Sequence, residues 1–205
     1  CVVVAIDDDE PELWIPHETR KRYGAMVQHE LPGTTIYWGS SCPVKWLAPL
    51  DWTAHNSEFE RTMLNGHPGR AINFPPTEIA DWTCTAAQAA ALSLPRSLKN
   101  ACIEMGTEHQ KDEEGRGVMM QLARPRKKAD KHHKTLRWTL FSAFDKYIAL
   151  YKYCIDDVRA ERALDRKLPP LTTKERTVWE LDQKINGRGI GIDVPAIHDE
   201  LYLVA

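Results

Sequence analysis

The sequence predicts an α/β domain on three observations. Two strand-like runs flank an acidic turn at its start. Short β-like runs then alternate with helical patterns as far as Gly106. A long amphipathic helix runs from Tyr147 to about Leu168.

The first run, Cys1–Ile6, is almost wholly apolar, and Pro11–Ile15 is similar. Joined through Asp7, Asp8, Asp9 and Glu10, they suit an antiparallel hairpin with a solvated acidic turn. Residues 17–40 are weakly patterned, with Thr34–Trp38 as their best strand. Pro43–Leu50 suits a short helix, and Asp51–Ala54 a short strand. In His55–Leu64, Asn56 suits a helix N-cap. Glu58 and Glu60 fall in the first turn, where the helix dipole favours negative charge, and Phe59, Met63 and Leu64 mark the expected buried side.

Asn65–Gly69 reads as a turn and Ile79–Trp82 as a strand. The alanine-rich Thr85–Leu92 reads as a helix that turns at Ser93–Pro95. A second helix begins at Ser97 and stops at Gly106, a suitable C′ glycine. Gln110–Arg116 is charged loop, and Val118–Leu122 a short helical run.

In the long helix, Ile148, Tyr151, Ile155, Val158 and Leu164 recur at helical spacing. Tyr153 and Asp157 stand four residues apart, which puts a phenol and a carboxylate on one face. Pro169-Pro170 marks a boundary. Thr172 and Glu175 have capping-box spacing, and their helix carries Val178, Trp179, Leu181 and Ile185 to a stop at Asn186-Gly187. Asp193 caps a last helix. The glycines at 187, 189 and 191 lack the preceding strand and the spacing of a dinucleotide loop.

Composition narrows the function classes. A chain that is 42% hydrophobic can bury a core, and a net charge of −2 with pI near 6.5 gives no global attraction to nucleic acid. Positive charge is concentrated instead in Arg124–Lys134, with six Lys or Arg and two His in eleven residues. That segment is either solvated loop or a contact for phosphate backbone, with Lys127 and Lys128 at its centre. Five scattered cysteines without a C-x-x-C pair point away from zinc or a disulfide framework and towards a reducing, cytoplasmic setting. No apolar run approaches the ~18 residues of a membrane span. An opening strand without lead-in, and a close inside a helix, suggest a fragment truncated at both ends.

Several segments, taken in order, resemble one family: the 3′–5′ proofreading exonuclease region of phage and prophage family A DNA polymerases. Ala54–Arg61 is similar to the second exonuclease motif and Tyr153–Val158 to the third. Trp82–Ala87, Leu94–Leu98 and Gln110–Gly115 look like intervening signatures. Leu181–Gly189 with Asp193 resembles the passage into the polymerase part. The resemblance implies an RNase H-like exonuclease domain over residues 1–168, a linker at 169–175, and the helical start of a polymerase region at 176–205.

The implied fold is one mixed sheet flanked by helices, its first three strands antiparallel. Cys1–Ile15 would supply the second and third. The family's first strand, with its Asp-x-Glu pair, is missing, and Asp8–Glu10 stands at the wrong place for it. The implied chemistry is two-metal hydrolysis at the 3′ end of single-stranded DNA with Mg²⁺ or Mn²⁺, hard ions that prefer carboxylate oxygens. Asp157 and Glu60 would ligate metal, Glu60 standing where the family has aspartate. Tyr153 would orient the attacking water. Asn56 would position the terminal nucleotide, although it serves equally as a helix cap, and Phe59 would pack the helix. The implied partners are the DNA 3′ end and a polymerase domain in the same polypeptide, in a bacterial host cytoplasm. With the Asp-x-Glu strand missing, residues 1–205 alone are expected to be nearly inactive. The alternative is a non-catalytic single-strand DNA-binding domain of the same fold. A free-standing RNA or oligonucleotide exonuclease fits Leu171–Ala205 less well.

Overall fold

The computed structural model describes residues 1–15, 20–43, 46, 51–71, 73–108, 113–126 and 136–204. The chain divides into two compact units, Cys1–Leu171 and Thr172–Ala205.

In the first unit β1 (Val2–Val4) runs antiparallel to β2 (Glu12–Ile15), with Val3 opposite Leu13, which is the expected hairpin. Every residue of β2 is buried, and Glu12 is accommodated because the Trp46 indole N–H donates to its Oε2 at 3.2 Å. Helix α1 (Arg20–Glu30), in a stretch with little sequence pattern, crosses over to β3 (Ile36–Trp38), which pairs with β2 in parallel. A second, two-stranded parallel sheet joins β4 (Trp52–Ala54) to β5 (Trp82–Cys84). Between these two strands lie α2 (Ser57–Asn65) and α3 (His67–Ala71). The unit is therefore α/β, with two small sheets among the described residues in place of one central sheet.

Helices α4 (Thr85–Ala91), α5 (Leu98–Glu104), α6 (Glu113–Ala123) and α7 (Phe144–Asp165) complete the unit. Helix α7 joins two cores. Its Ile148, Tyr151 and Ile155 pack with Leu13, Ile15 and Val27 from the sheet and α1. Further along, Ala160 and Leu164 meet Ala89, Leu98, Ala101 and Cys102 of α4 and α5. A third cluster, Trp14, Cys42, Trp46 and Phe74, covers the other face of the first sheet.

Several local expectations change. Asn65–Gly69 is not simply a turn, because α3 starts at His67. Ile79–Asp81 is a 3-10 turn, closed by reciprocal capping between Glu78 and Asp81, and the strand starts only at Trp82. Glu113–Arg116, expected as loop, forms the first turn of α6. The acidic turn Asp7–Glu10 is exposed but is more than solvated loop. Arg159 reaches Glu10 at 2.9 Å, Arg166 pairs with Asp8, and Arg162 donates to the carbonyl of Asp9. Most of the expected Pro43–Leu50 helix and the core of the basic segment, with Lys127 and Lys128, lie outside the described residues.

The second unit contains α8 (Thr173–Arg188) and α9 (Val194–Val204). Thr172 and Glu175 form the expected capping box, and Asp193 accepts from the Ala196 amide at 3.0 Å. Helix α8 passes through Asn186-Gly187 and ends at Gly189, where φ is +68°. None of the helices among the described residues is long and apolar enough to cross a membrane.

Candidate active-site cleft

The strand β4 leads through His55 and Asn56 into α2. The His55 Nε2–H donates to the Arg96 carbonyl at 2.7 Å, and its Nδ1 shares a hydrogen bond with the Thr85 hydroxyl at 2.9 Å. Asn56 then turns the chain in a left-handed conformation, φ 71° and ψ 53°. It occupies the N-cap position but makes no side-chain cap hydrogen bond, so the capping expected of it is absent. Asparagine suits this position for its tolerance of positive φ. Phe59 and Met63, expected to be buried, are 60% and 42% exposed. Ser57 is the buried residue of the helix instead, and Leu64 is half-buried.

Glu60, one residue beyond Phe59, turns inward. Its Oε2 is sealed from solvent and has no hydrogen-bond partner among the described residues. Burial pushes its pKa up from 4.5 to about 7, against the opposing effect of a hydrogen bond from its own backbone amide.

A cleft of about 390 Å³ opens between the edge of β1 and the edge of β4. Each of these strands has a single pairing partner among the described residues, β2 and β5 respectively, so both present an unpaired edge to the cleft. Trp52, Phe74 and Trp82 line its apolar side. Glu60 enters from α2, and Val158, Glu161, Arg162 and Asp165 enter from α7.

Glu161 and Asp165 continue from Asp157 at successive four-residue steps, a stripe the sequence displays and our reading of it missed. Glu161 has a sealed Oε1 with no hydrogen-bond partner among the described residues. Its pKa stands well above the ordinary carboxylate range, first through burial and then through the negative charges of Glu60, Asp165, Cys84 and Asp157. Asp165 is shifted upward by burial as well. The cation in the cleft wall, Arg162, directs its Nη1 to the carbonyls of Asp7 and Asp9 and leaves the carboxylates alone.

The expected site residues are thus only partly assembled. Glu60 lines the cleft. Asp157 is half-buried one turn before Glu161, close enough to raise its pKa, but is not in the cleft wall. Tyr153 is 4% exposed and packs against Gly115 of α6. Asn56 and Phe59 lie on the outside of the α2 start. Among the described residues, no three His, Cys, Asp or Glu side chains are grouped so as to hold a metal ion.

Comparison with known proteins adds one relationship. No family model matches the chain, and no solved structure matches it. It is 34% identical over 148 residues to a protein described as "DNA polymerase" from Bacillus phage SP02, a match covering 71% of this chain and 22% of that protein. The chain therefore spans about a fifth of the length of that relative. The chain is thus similar to part of a phage DNA polymerase.

Proposed function

We propose that this chain is the 3′–5′ proofreading exonuclease part of a phage-type family A DNA polymerase, with an RNase H-like fold, acting on single-stranded DNA 3′ ends. The observation carrying this reading is the cleft between the β1 and β4 edges, lined by Glu60 and Glu161, each of which has one carboxylate oxygen sealed from solvent without a hydrogen-bond partner among the described residues. The similarity to a phage polymerase supports the same reading.

The donor set fits a hard divalent cation, because buried carboxylate oxygens without a hydrogen-bond donor favour an ion that prefers oxygen ligands. Asp157 and Glu60 would hold Mg²⁺ or Mn²⁺, which activates water and neutralises charge on a leaving 3′ oxygen. Tyr153, one turn before Asp157, orients the water. Asn56 and Phe59 meet the terminal nucleotide, the exposed Phe59 ring offering a face on which a base stacks. Lys127 and Lys128 contact phosphates.

The test is a 5′-labelled single-stranded oligonucleotide incubated with the complete gene product and with residues 1–205. The complete product should yield a ladder shortened from the 3′ end that requires Mg²⁺ and disappears with EDTA. A second reading, a single-strand DNA-binding domain without catalysis, draws on the lack of a three-ligand group among the described residues. DNA binding by the complete product without a ladder would favour it.

A further inference from the structure

The geometry points to Glu161 as a member of a divalent-cation site, shared with Glu60 across the cleft. This deepens the reading above by adding a residue that the family motifs do not supply. It rests on cation binding at this cleft and not on nuclease chemistry.

Four observations carry it. Glu60 and Glu161 come from different helices, α2 and α7, and both line the same cleft. Each has a carboxylate oxygen sealed from solvent with no hydrogen-bond partner among the described residues. Glu161 and Asp165 stand four residues apart on α7, and both line the cleft. Arg162, the cation in the cleft wall, is bonded to the carbonyls of Asp7 and Asp9.

A buried carboxyl without a hydrogen-bond partner holds either a proton or a cation. A divalent ion displaces the proton, and Mg²⁺ or Mn²⁺ needs only one or two carboxylates because it keeps several of its waters. A two-carboxylate site is therefore compatible with the lack of a three-ligand group among the described residues.

Trp52 and Trp82 line the cleft and stack on each other, with ring centroids 5.7 Å apart, and this supplies a readout independent of activity. Terbium(III) bound beside them should luminesce on tryptophan excitation, and Mn²⁺ should compete for the site. In the intact chain, Glu161→Gln and Glu60→Gln should each weaken terbium binding at least about tenfold. The double variant should add little to either, because the residues share one ion. Asp199→Asn, at an exposed position in the second unit, should leave binding unchanged. Should Glu161→Gln fail to fold, Glu161→Asp, which keeps the charge and shortens its reach, tests the same residue and should also weaken terbium binding. Several results would overturn the inference: no sensitised binding by the wild-type chain, equal binding by wild type and Glu161→Gln, or loss of the signal only on Asp9→Asn in the acidic turn. Terbium binding lost in Glu161→Gln, alongside a complete gene product that leaves DNA intact, would retain the cation site and remove the exonuclease reading.

Discussion

The ring of Tyr153 lies against the bare α-carbon of Gly115: a Cβ there would come within 2.3 Å of Tyr153 Cδ2 and 2.5 Å of its Cβ. This approach docks α6 on α7 and fixes the buried setting of the tyrosine. Gly115→Ala cannot be absorbed by a flexible tip, since the clash involves the start of the side chain. It should destabilise the first unit by about 1–3 kcal/mol, the usual cost of overpacking. Denaturant unfolding measures this, and an unchanged midpoint would show that α6 is free to move away.

Glu60 makes stability depend on pH. Its carboxyl titrates near 7 in the folded chain against 4.5 in the ordinary state, so between these values the folded form holds a proton that the unfolded form has released. Stability is fully present below about pH 4.5 and is lost as pH rises through about 7. Glu161, shifted in the same direction, adds to the trend. Without added metal, the melting temperature should fall between pH 5 and pH 8, and Glu60→Gln should flatten that part of the profile. A wild-type melting temperature that rises over this interval would contradict the burial of these carboxyls.

Phe59 separates packing from contact with DNA. At 60% exposure it contributes little to the core, so Phe59→Ser should change stability by no more than about 0.5 kcal/mol. If its ring stacks on a terminal base, the same change should weaken single-strand binding by about 1–3 kcal/mol. Parallel melting and fluorescence-anisotropy titrations distinguish the two effects.

Among the described residues β1 and β4 each have an unpaired edge, which favours association. Residues 1–205 should sediment as a concentration-dependent mixture of monomer and larger species. A single monomeric boundary at high concentration would show that the edges are protected.

The hairpin, the alanine-rich helix and the long helix were legible because each carries a strong local pattern or a turn signal. The antiparallel hairpin follows from its acidic turn, and the buried Ile148, Tyr151 and Ile155 follow from helical spacing. Helix α1 escaped the reading because only Tyr23 and Val27 are buried among its polar residues. Phe59 misled for the opposite reason: an aromatic residue at helical spacing was taken for core, whereas Ser57 and Glu60 face inward. Three-dimensional closure decided that outcome, because α2 presents to the cleft the side that carries its carboxylate. The Asp157, Glu161 and Asp165 stripe was present in the sequence. What could not be read there was Glu60 arriving from another helix to line the same cleft as Glu161, about half the chain away in sequence.

The reading stands or falls on Asp157. The measurement is release of 3′-terminal nucleotides from single-stranded DNA by the complete gene product, wild type beside Asp157→Ala, in Mg²⁺. Removing a metal carboxylate should slow release about a hundredfold or more, since the ion supplies several kcal/mol of charge stabilisation. DNA binding should persist in the same variant. Undiminished Mg²⁺-dependent release by Asp157→Ala would contradict the assignment.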